Sequence, residues 1–244
     1  MKFEIFDQRY KEFILNIRSH FKDSKNSIHK ARNEIKITPY NDTSLVIKSF
    51  RVPNFINKII YTFFKDSKAK KSYLNSIKII DFVPKPIGYI EFEKSGLIYD
   101  SYFISEEFKY DFTIREPLLD SKFEDRESIF KEFAKFTFDL HQNNILHLDY
   151  SPGNILIKKD TNGYIFKIVD INRMKFLDLD TESRLKNFAQ LWAKDDDLSL
   201  MIKEYLNFLG KDEKIYLPKA LAYSQAHKDK KNFKKRLKGK KVVD

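Results

Sequence analysis

The segment His147-Leu148-Asp149-Tyr150-Ser151-Pro152-Gly153-Asn154 sets one carboxylate, Asp149, and one amide, Asn154, just ahead of the apolar run Ile155-Leu156-Ile157. The turn Asp160-Thr161-Asn162-Gly163 follows, and then YIFKIVD, which ends on a second carboxylate, Asp170. Two apolar runs around an Asn-Gly turn read as a β-hairpin, here with acidic residues at both ends. These residue types suit phosphoryl transfer from a magnesium-bound nucleotide. An unprotonated Asp149 can accept or orient the proton of an attacking hydroxyl. The amide oxygen of Asn154 and the carboxylate of Asp170 are the hard oxygen donors that Mg²⁺ prefers. His147 is better suited to bracing the loop than to chemistry. The plain alternative is that Asp149 and Asn154 are turn formers before a strand.

The order H-x-D-x-x-x-x-N, strand, turn, strand, D is that of the protein-kinase class of sites, which also needs a strand lysine for the α- and β-phosphates of ATP. Lys48 in SLVIKSF follows two other strand-like pieces and is the candidate, although a strand lysine is often only a solvated residue. Two features depart from that class. All six glycines lie at Gly88 or later, so no glycine-rich loop can cover the nucleotide. The turn Lys30-Ala31-Arg32-Asn33 must stand in, with Arg32 reaching phosphate oxygens and Asn33 adopting the tight turn; otherwise it is an ordinary hairpin turn. The helix expected over 67–80 contains no acidic residue to orient Lys48, and Leu74 or Asn75 occupies the region where one is needed. Either another carboxylate such as Glu34 does so, or the lysine acts without a partner. A catalytically impaired protein stays open on this point.

The elements that must carry these residues follow from periodicity. Phe6, Tyr10, Phe13, Ile14, Ile17 and Phe21 fall at helical spacing over 6–22. Strands are expected near 27–31, 33–38 and 43–50. Asp66 or Ser67 can cap a helix that Pro84 and Pro86 end. IGYIEFE and LIYDSYFISE flank the turn Lys94-Ser95-Gly96. Together these make a small N-terminal lobe, 1–106, with a leading helix, a five-stranded antiparallel sheet and one helix. The region 107–227 is expected to be a mainly helical C-terminal lobe. In it 124–143 puts Ile129, Phe133, Phe136 and Leu140 inward, and 180–194 and 197–209 are again helical, with Gly210 as a cap. Residues 107–122 carry no assignable pattern. The expected fold class is α+β, a two-lobed protein-kinase-like fold.

Composition narrows the chemistry. With 244 residues, 42% hydrophobic and 33% charged, the chain can bury a substantial core. It has no cysteine, which excludes disulfide scaffolds and thiol catalysis, and its five histidines lack metal-ligand spacing. No run is apolar enough to span a bilayer, and Glu4 and Asp7 interrupt any signal peptide, so a cytoplasmic protein is expected. Most of the net charge of +11 sits in 228–241, where nine Lys or Arg face Asp229 alone, so 228–244 reads as a basic C-terminal tail. Such a tail can be a solvated end, a nucleic-acid arm or an anchor to anionic lipid, with Phe233 and Leu237 as a narrow apolar stripe. No nucleic-acid recognition module accompanies it, so no specific nucleic acid is expected.

The chain as a whole resembles the lipopolysaccharide core kinases, the Kdo and heptose kinases with a protein-kinase-like fold. The resemblance is carried by ARNEIKI at 31–37, VIKSFRVPNFINKIIYTFF at 46–64, SKAKKSY at 67–73, PKPIGYIE at 84–91, and above all ILHLDYSPGNILI with IVDINRMKF. It implies transfer of the ATP γ-phosphate to a sugar hydroxyl, Kdo or related, of the lipopolysaccharide inner core. Asp149 matches the family's catalytic aspartate, Asn154 and Asp170 its magnesium ligands, and Lys48 its nucleotide lysine. By fold analogy the adenine would meet backbone groups of Glu106, Glu107 and Phe108. The implied acceptor is a lipopolysaccharide core or lipid A-linked sugar. It would be met at the cytoplasmic face of the inner membrane, where 228–241 would touch the anionic surface. Asp170-Ile171-Asn172 stands where protein kinases have Asp-Phe-Gly, which argues against a regulated protein kinase. A pseudokinase or scaffold, and a phosphotransferase for a soluble small molecule, are the other readings.

Overall fold

The computed structural model describes residues 1–30 and 33–239. The chain divides into two compact units, one of residues 1–109 with 170–172, the other of 110–169 with 173–244. Among the described residues no helix is long and apolar enough to cross a membrane.

The first unit runs β1 (Lys2–Ile5), α1 (Lys11–Leu15), α2 (Ile17–Asp23), β2 (Ser27–Lys30), β3 (Glu34–Tyr40), β4 (Thr43–Phe50), α3 (Phe55–Phe63), α4 (Lys68–Lys78), β5 (Pro86–Lys94) and β6 (Leu97–Glu106). Its strands form one antiparallel sheet in the order β1-β5-β6-β4-β3-β2. The sixth strand, beyond the five expected, is β1, which pairs Lys2 through Ile5 with Glu91 through Gly88. The helix expected over 6–22 is broken at Asn16, whose side-chain amide donates to the Glu12 carbonyl and competes with the helical ladder. Helix α3 lies where the sequence carried no helical expectation. Helix α4 starts at Ser67, whose hydroxyl accepts from Lys70 N–H, while Asp66 pairs with the Lys70 ammonium at 2.9 Å.

Alternation along the strands gives the sheet two covered faces. Leu45, Ile47, Ile90, Tyr102 and Ile104 meet Phe13, Ile14 and Ile17 of α1 and α2 on one face. Phe50, Tyr89 and Phe103 meet Ala69 and Tyr73 of α4 on the other. Lys48, two residues before Phe50, belongs to the α4 face. Glu34, opposite Ser49 in register, belongs to the α2 face and cannot orient Lys48.

The second unit runs β7 (Phe112–Thr113), α5 (Arg115–Leu119), α6 (Arg126–Gln142), β8 (Ile145–His147), β9 (Ile155–Asp160), β10 (Gly163–Ile168), β11 (Met174–Phe176), α7 (Thr181–Phe188), α8 (Asp195–Leu209) and α9 (Glu213–Arg236). The expected hairpin is β9–β10, registered from Asp160↔Gly163 to Ile155↔Ile168. Gly163 takes φ +139°, and a side chain there would strike the Glu132 carboxylate, which already accepts from Tyr164 N–H. Helix α6 buries Ile129, Phe133 and Leu140 as its periodicity requires, and Gly210 ends α8 in the left-handed conformation. The basic run from 228 to 236 is the last third of α9, which packs against α7 and α8.

Candidate active site

In the first unit, Lys48 reaches from β4 along the α4 face, and its Nζ lies 2.7 Å from Asp170 Oδ1, with the lysine side chain 13% exposed. Asn172 Nδ2 donates to the same oxygen at 2.6 Å. Asn75 of α4, in the region where a helix carboxylate was sought, donates through Nδ2 to the Ile171 carbonyl at 2.7 Å. The helix therefore holds the backbone of 170–172, and the carboxylate for Lys48 comes from that segment. Asp170 has φ +57°, a conformation that costs a non-glycine residue about 1 kcal/mol and persists where surrounding bonds impose it.

The other nucleotide candidates of this unit are tied down separately. Asn33 Oδ1 accepts from Arg51 N–H at 3.3 Å. Arg32 lies outside the described residues. Glu106 pairs with Lys85 at 2.8 Å, and its N–H donates to the Lys85 carbonyl. Glu107 N–H donates to the Ser44 carbonyl, so the N–H groups of both glutamates are already engaged. Phe108 adjoins them with no hydrogen-bond partner for its N–H among the described residues.

In the second unit, the loop between β8 and β9 is held by a chain of buried polar groups. His147 Nδ1 accepts from Asp149 N–H at 3.0 Å. Its Nε2 must then carry the proton and donate to the Val169 carbonyl, also at 3.0 Å. The expected bracing role of His147 is thus a bond at each end of the hairpin. Asn154 Nδ2 donates to the Asp149 carbonyl at 2.9 Å, which leaves the oxygen of that amide outside this bond. Behind the loop, Asn187 Nδ2 donates to the His147 carbonyl and accepts through Oδ1 from His141 Nε2, while His141 Nδ1 accepts from the Tyr205 hydroxyl at 2.8 Å. Gln190 accepts from Tyr150 N–H. The Tyr150 hydroxyl donates to Thr137, which itself donates to the Phe133 carbonyl. Burial pushes the Tyr150 phenol far above its ordinary range and lowers the His141 pKa to about 4, so both stay neutral.

Two arginines flank this loop. Arg173 Nη1 lies 3.8 Å from Asp149 Oδ2, with both side chains substantially exposed, and the Arg173 carbonyl accepts from Leu148 N–H. Arg115 closes on Gly153, where an added Cβ would sit 2.6 Å from its Nη2.

The structure thus joins Lys48 to Asp170 and Asn154 to Asp149, and leaves Asn33, Glu106 and Glu107 in strand-end contacts of their own. Asn75 carries a sequence signal only as a residue standing where a helix carboxylate is needed, and Arg115, Arg173, Asn187 and Gln190 carry no functional reading in the sequence. Arg173 has one local cue, as a cation three residues after the second hairpin carboxylate. Among the described residues no group of three or more histidine or acidic side chains gathers to hold a metal unaided. An amide oxygen and a carboxylate nevertheless fit Mg²⁺, which takes one or two protein oxygens together with substrate phosphates.

No family model matches the chain, and no curated protein matches it. Its structure is similar to that of WaaP, solved in complex with acyl carrier protein. The two are 12% identical with a TM-score of 0.62, over 94% of this chain and 98% of that one. At that identity the likeness carries the fold: a kinase-like α+β chain with an antiparallel six-stranded N-terminal sheet and a helical C-terminal part.

Proposed function

We propose that this protein is an ATP-dependent kinase that transfers the γ-phosphate to a sugar hydroxyl, Kdo or related, of the lipopolysaccharide inner core. It belongs on this reading with the lipopolysaccharide core kinases. The observation that carries the reading is the 2.7 Å contact between Lys48 and Asp170, which sets the strand lysine against the carboxylate ending the β9–β10 hairpin. The scaffold alternative drew on the missing helix glutamate and the absent glycine loop; the Lys48–Asp170 contact bears on the first, by giving the lysine a carboxylate from another segment.

Each residue then has a task. Lys48 neutralises α- and β-phosphate oxygens. Asp149 orients the acceptor hydroxyl and takes its proton as the γ-phosphoryl group moves to that oxygen and ADP departs. Asn154 and Asp170 would hold Mg²⁺, which when bound offsets charge on the phosphates. The His147 clamp and the Asn187–His141–Tyr205 chain keep the Asp149 backbone in one geometry, the kind of preorganisation on which such a reaction depends. With the N–H groups of Glu106 and Glu107 engaged, the adenine edge would meet Phe108 N–H and the carbonyls beside it. Asn33 and Arg32 would close over the phosphates where other kinases use glycines.

Arg115 and Arg173 bear on the acceptor. Two cations beside Asp149 and Gly153 suit a sugar whose reacting hydroxyl stands near a carboxylate or phosphate, which Kdo and the phosphorylated core sugars provide. The acceptor on this reading is lipid A-linked and is met at the cytoplasmic face of the inner membrane. The end of α9 would face that anionic surface through Lys230, Lys231, Lys234 and Arg236, while Lys228 is turned inward to the Ala193 carbonyl. The test is ATP turnover with Mg²⁺ by the purified full chain. Transfer is expected for the wild type and absent in Asp149→Ala, and equal rates for the two would overturn the reading.

A further inference from the structure

Helix α3 turns its apolar side outward. Phe55, Ile56 and Phe63 are 69%, 69% and 67% exposed, Phe64 just beyond is 76% exposed, and no residue of the helix is buried. On its inward side Ile59, Ile60 and Tyr61 are half-buried, Thr62 Oγ1 accepts from Ile98 N–H at 3.0 Å, and the Lys58 ammonium lies over the Tyr99 ring. Phe55 and Phe63, two helical turns apart, lie on one side with Ile56 beside them and half-buried Ile59 between, so the exposed groups form one stripe. A stripe of large apolar side chains in water, unlike singly scattered ones, marks a contact surface.

The rim of the stripe is cationic. From 51 to 71 the chain carries Arg51, Lys58, Lys65, Lys68, Lys70 and Lys71 against Asp66 alone. At the C-terminal end of α3 lies a hollow of about 600 Å³ lined by Lys2, Lys65, Lys70 and Lys71 beside Phe63 and Phe64. Three carboxylates oppose them: Asp66, paired with Lys70, Glu93, paired with Lys2 at 3.3 Å, and Glu91, buried with its pKa raised by desolvation, so that Lys65 and Lys71 are the cations left over. The lysines keep the excess.

We propose that α3 is a membrane-surface helix: its Phe55–Ile56–Phe63–Phe64 stripe enters the interface of an anionic bilayer, and the lysines of the adjoining hollow receive lipid phosphates. An apolar stripe rimmed by lysine combines the two attractions that hold an interfacial helix. A second copy of this chain is a poorer occupant, because two-fold pairing would set each lysine rim against its own copy. The proposal requires neither the kinase reading nor the α9 cations, so it stands or falls separately from both.

The test is flotation of the full chain with phosphatidylcholine vesicles and with mixed phosphatidylcholine–phosphatidylglycerol vesicles, with ATP turnover measured alongside. Binding only to the anionic vesicles is expected, weakened at least about tenfold in Phe55→Ser/Ile56→Ser/Phe63→Ser/Phe64→Ser. Lys65→Glu/Lys70→Glu/Lys71→Glu should weaken it comparably while leaving turnover of a soluble acceptor unchanged. Added inorganic phosphate should compete only weakly; full competition would mean that the hollow binds free phosphate and that lipid is not its ligand. Unchanged vesicle binding in both variants, or light scattering that shows a dimer which the serine variant converts to monomer, would overturn the proposal.

Discussion

Lys48 Nζ and Asp170 Oδ1 stand 2.7 Å apart although 122 residues separate them in the chain. A strand lysine of the first unit thereby meets the carboxylate at the exit of the hairpin, with Asn75 and Asn172 fixing the segment that carries it. Asp170→Asn keeps a side chain that tolerates the left-handed backbone and removes only the charge. It should lower ATP turnover at least about a hundredfold and destabilise the fold by about 1–3 kcal/mol, because Lys48 is left with little solvent and no counter-ion. Turnover and urea midpoints of the purified variant check both, and wild-type turnover would remove Asp170 from the site.

Asn187→Ala cuts the buried chain one bond behind the loop, at the His147 carbonyl. Because Asn187 touches no reacting atom, kcat should fall while KM for ATP changes little, by an amount smaller than for Asp149→Asn, whose loss should be about 10²–10⁴-fold. Steady-state kinetics on both variants separate a positioning role from a structural one. A fall in stability with kcat unchanged would leave Asn187 as core alone.

The sequence displayed what depends on local pattern and hid what depends on distance. The β9–β10 hairpin, the α6 stripe and the Gly210 cap follow from alternation, periodicity and a turn residue within a few positions. The partner of Lys48 did not, because it lies on a distant strand end, and Glu34, the nearby guess, points to the other face of the sheet. Helix α3 escaped notice because its apolar residues face water, which removes the usual contrast between a buried stripe and a polar one. Helix α9 was obscured by Pro218 within it and by its run of lysines. The chain from Tyr205 to Asp149 draws on residues from three helices that no spacing rule links.

Arg173→Ala should raise KM for an anionic acceptor roughly tenfold and leave KM for ATP nearly unchanged, since the arginine lies 3.8 Å from the Asp149 carboxylate, which on the kinase reading meets the acceptor. Reducing the acceptor's carboxyl to an alcohol should abolish the difference between variant and wild type. A variant that discriminates against both acceptors equally would place Arg173 outside acceptor recognition.

Stability should depend on pH through His141. Its pKa is lowered to about 4 by burial, against 6.5 when exposed, so the unfolded chain binds the extra proton between those values. The neutral ring's contribution is complete above about pH 6.5 and is lost as the pH falls toward 4, to the extent of roughly 3 kcal/mol. Urea denaturation from pH 7 to 5 should show the decline, and His141→Gln, which cannot titrate, should flatten it. An equal slope in the two proteins would assign the acid sensitivity elsewhere.

The cations at the end of α9 divide into those turned inward and those facing solvent. Lys230→Glu/Lys231→Glu/Lys234→Glu spares Lys228 and Lys235, which meet the Ala193 carbonyl and the Trp192 ring, so the helix should stay docked. Salt-sensitive binding to anionic vesicles should weaken several-fold with the thermal midpoint unchanged. Equal binding would make these lysines a solvated helix end.

Most directly, the kinase reading is tested by incubating the purified full chain with ATP, Mg²⁺ and a Kdo-bearing lipid A acceptor and reading the acceptor's mass. The gain of one phosphate with the wild type and none with Asp149→Ala is the expected result. An acceptor left unphosphorylated while the wild type binds both substrates, or phosphorylated equally by the variant, would contradict it.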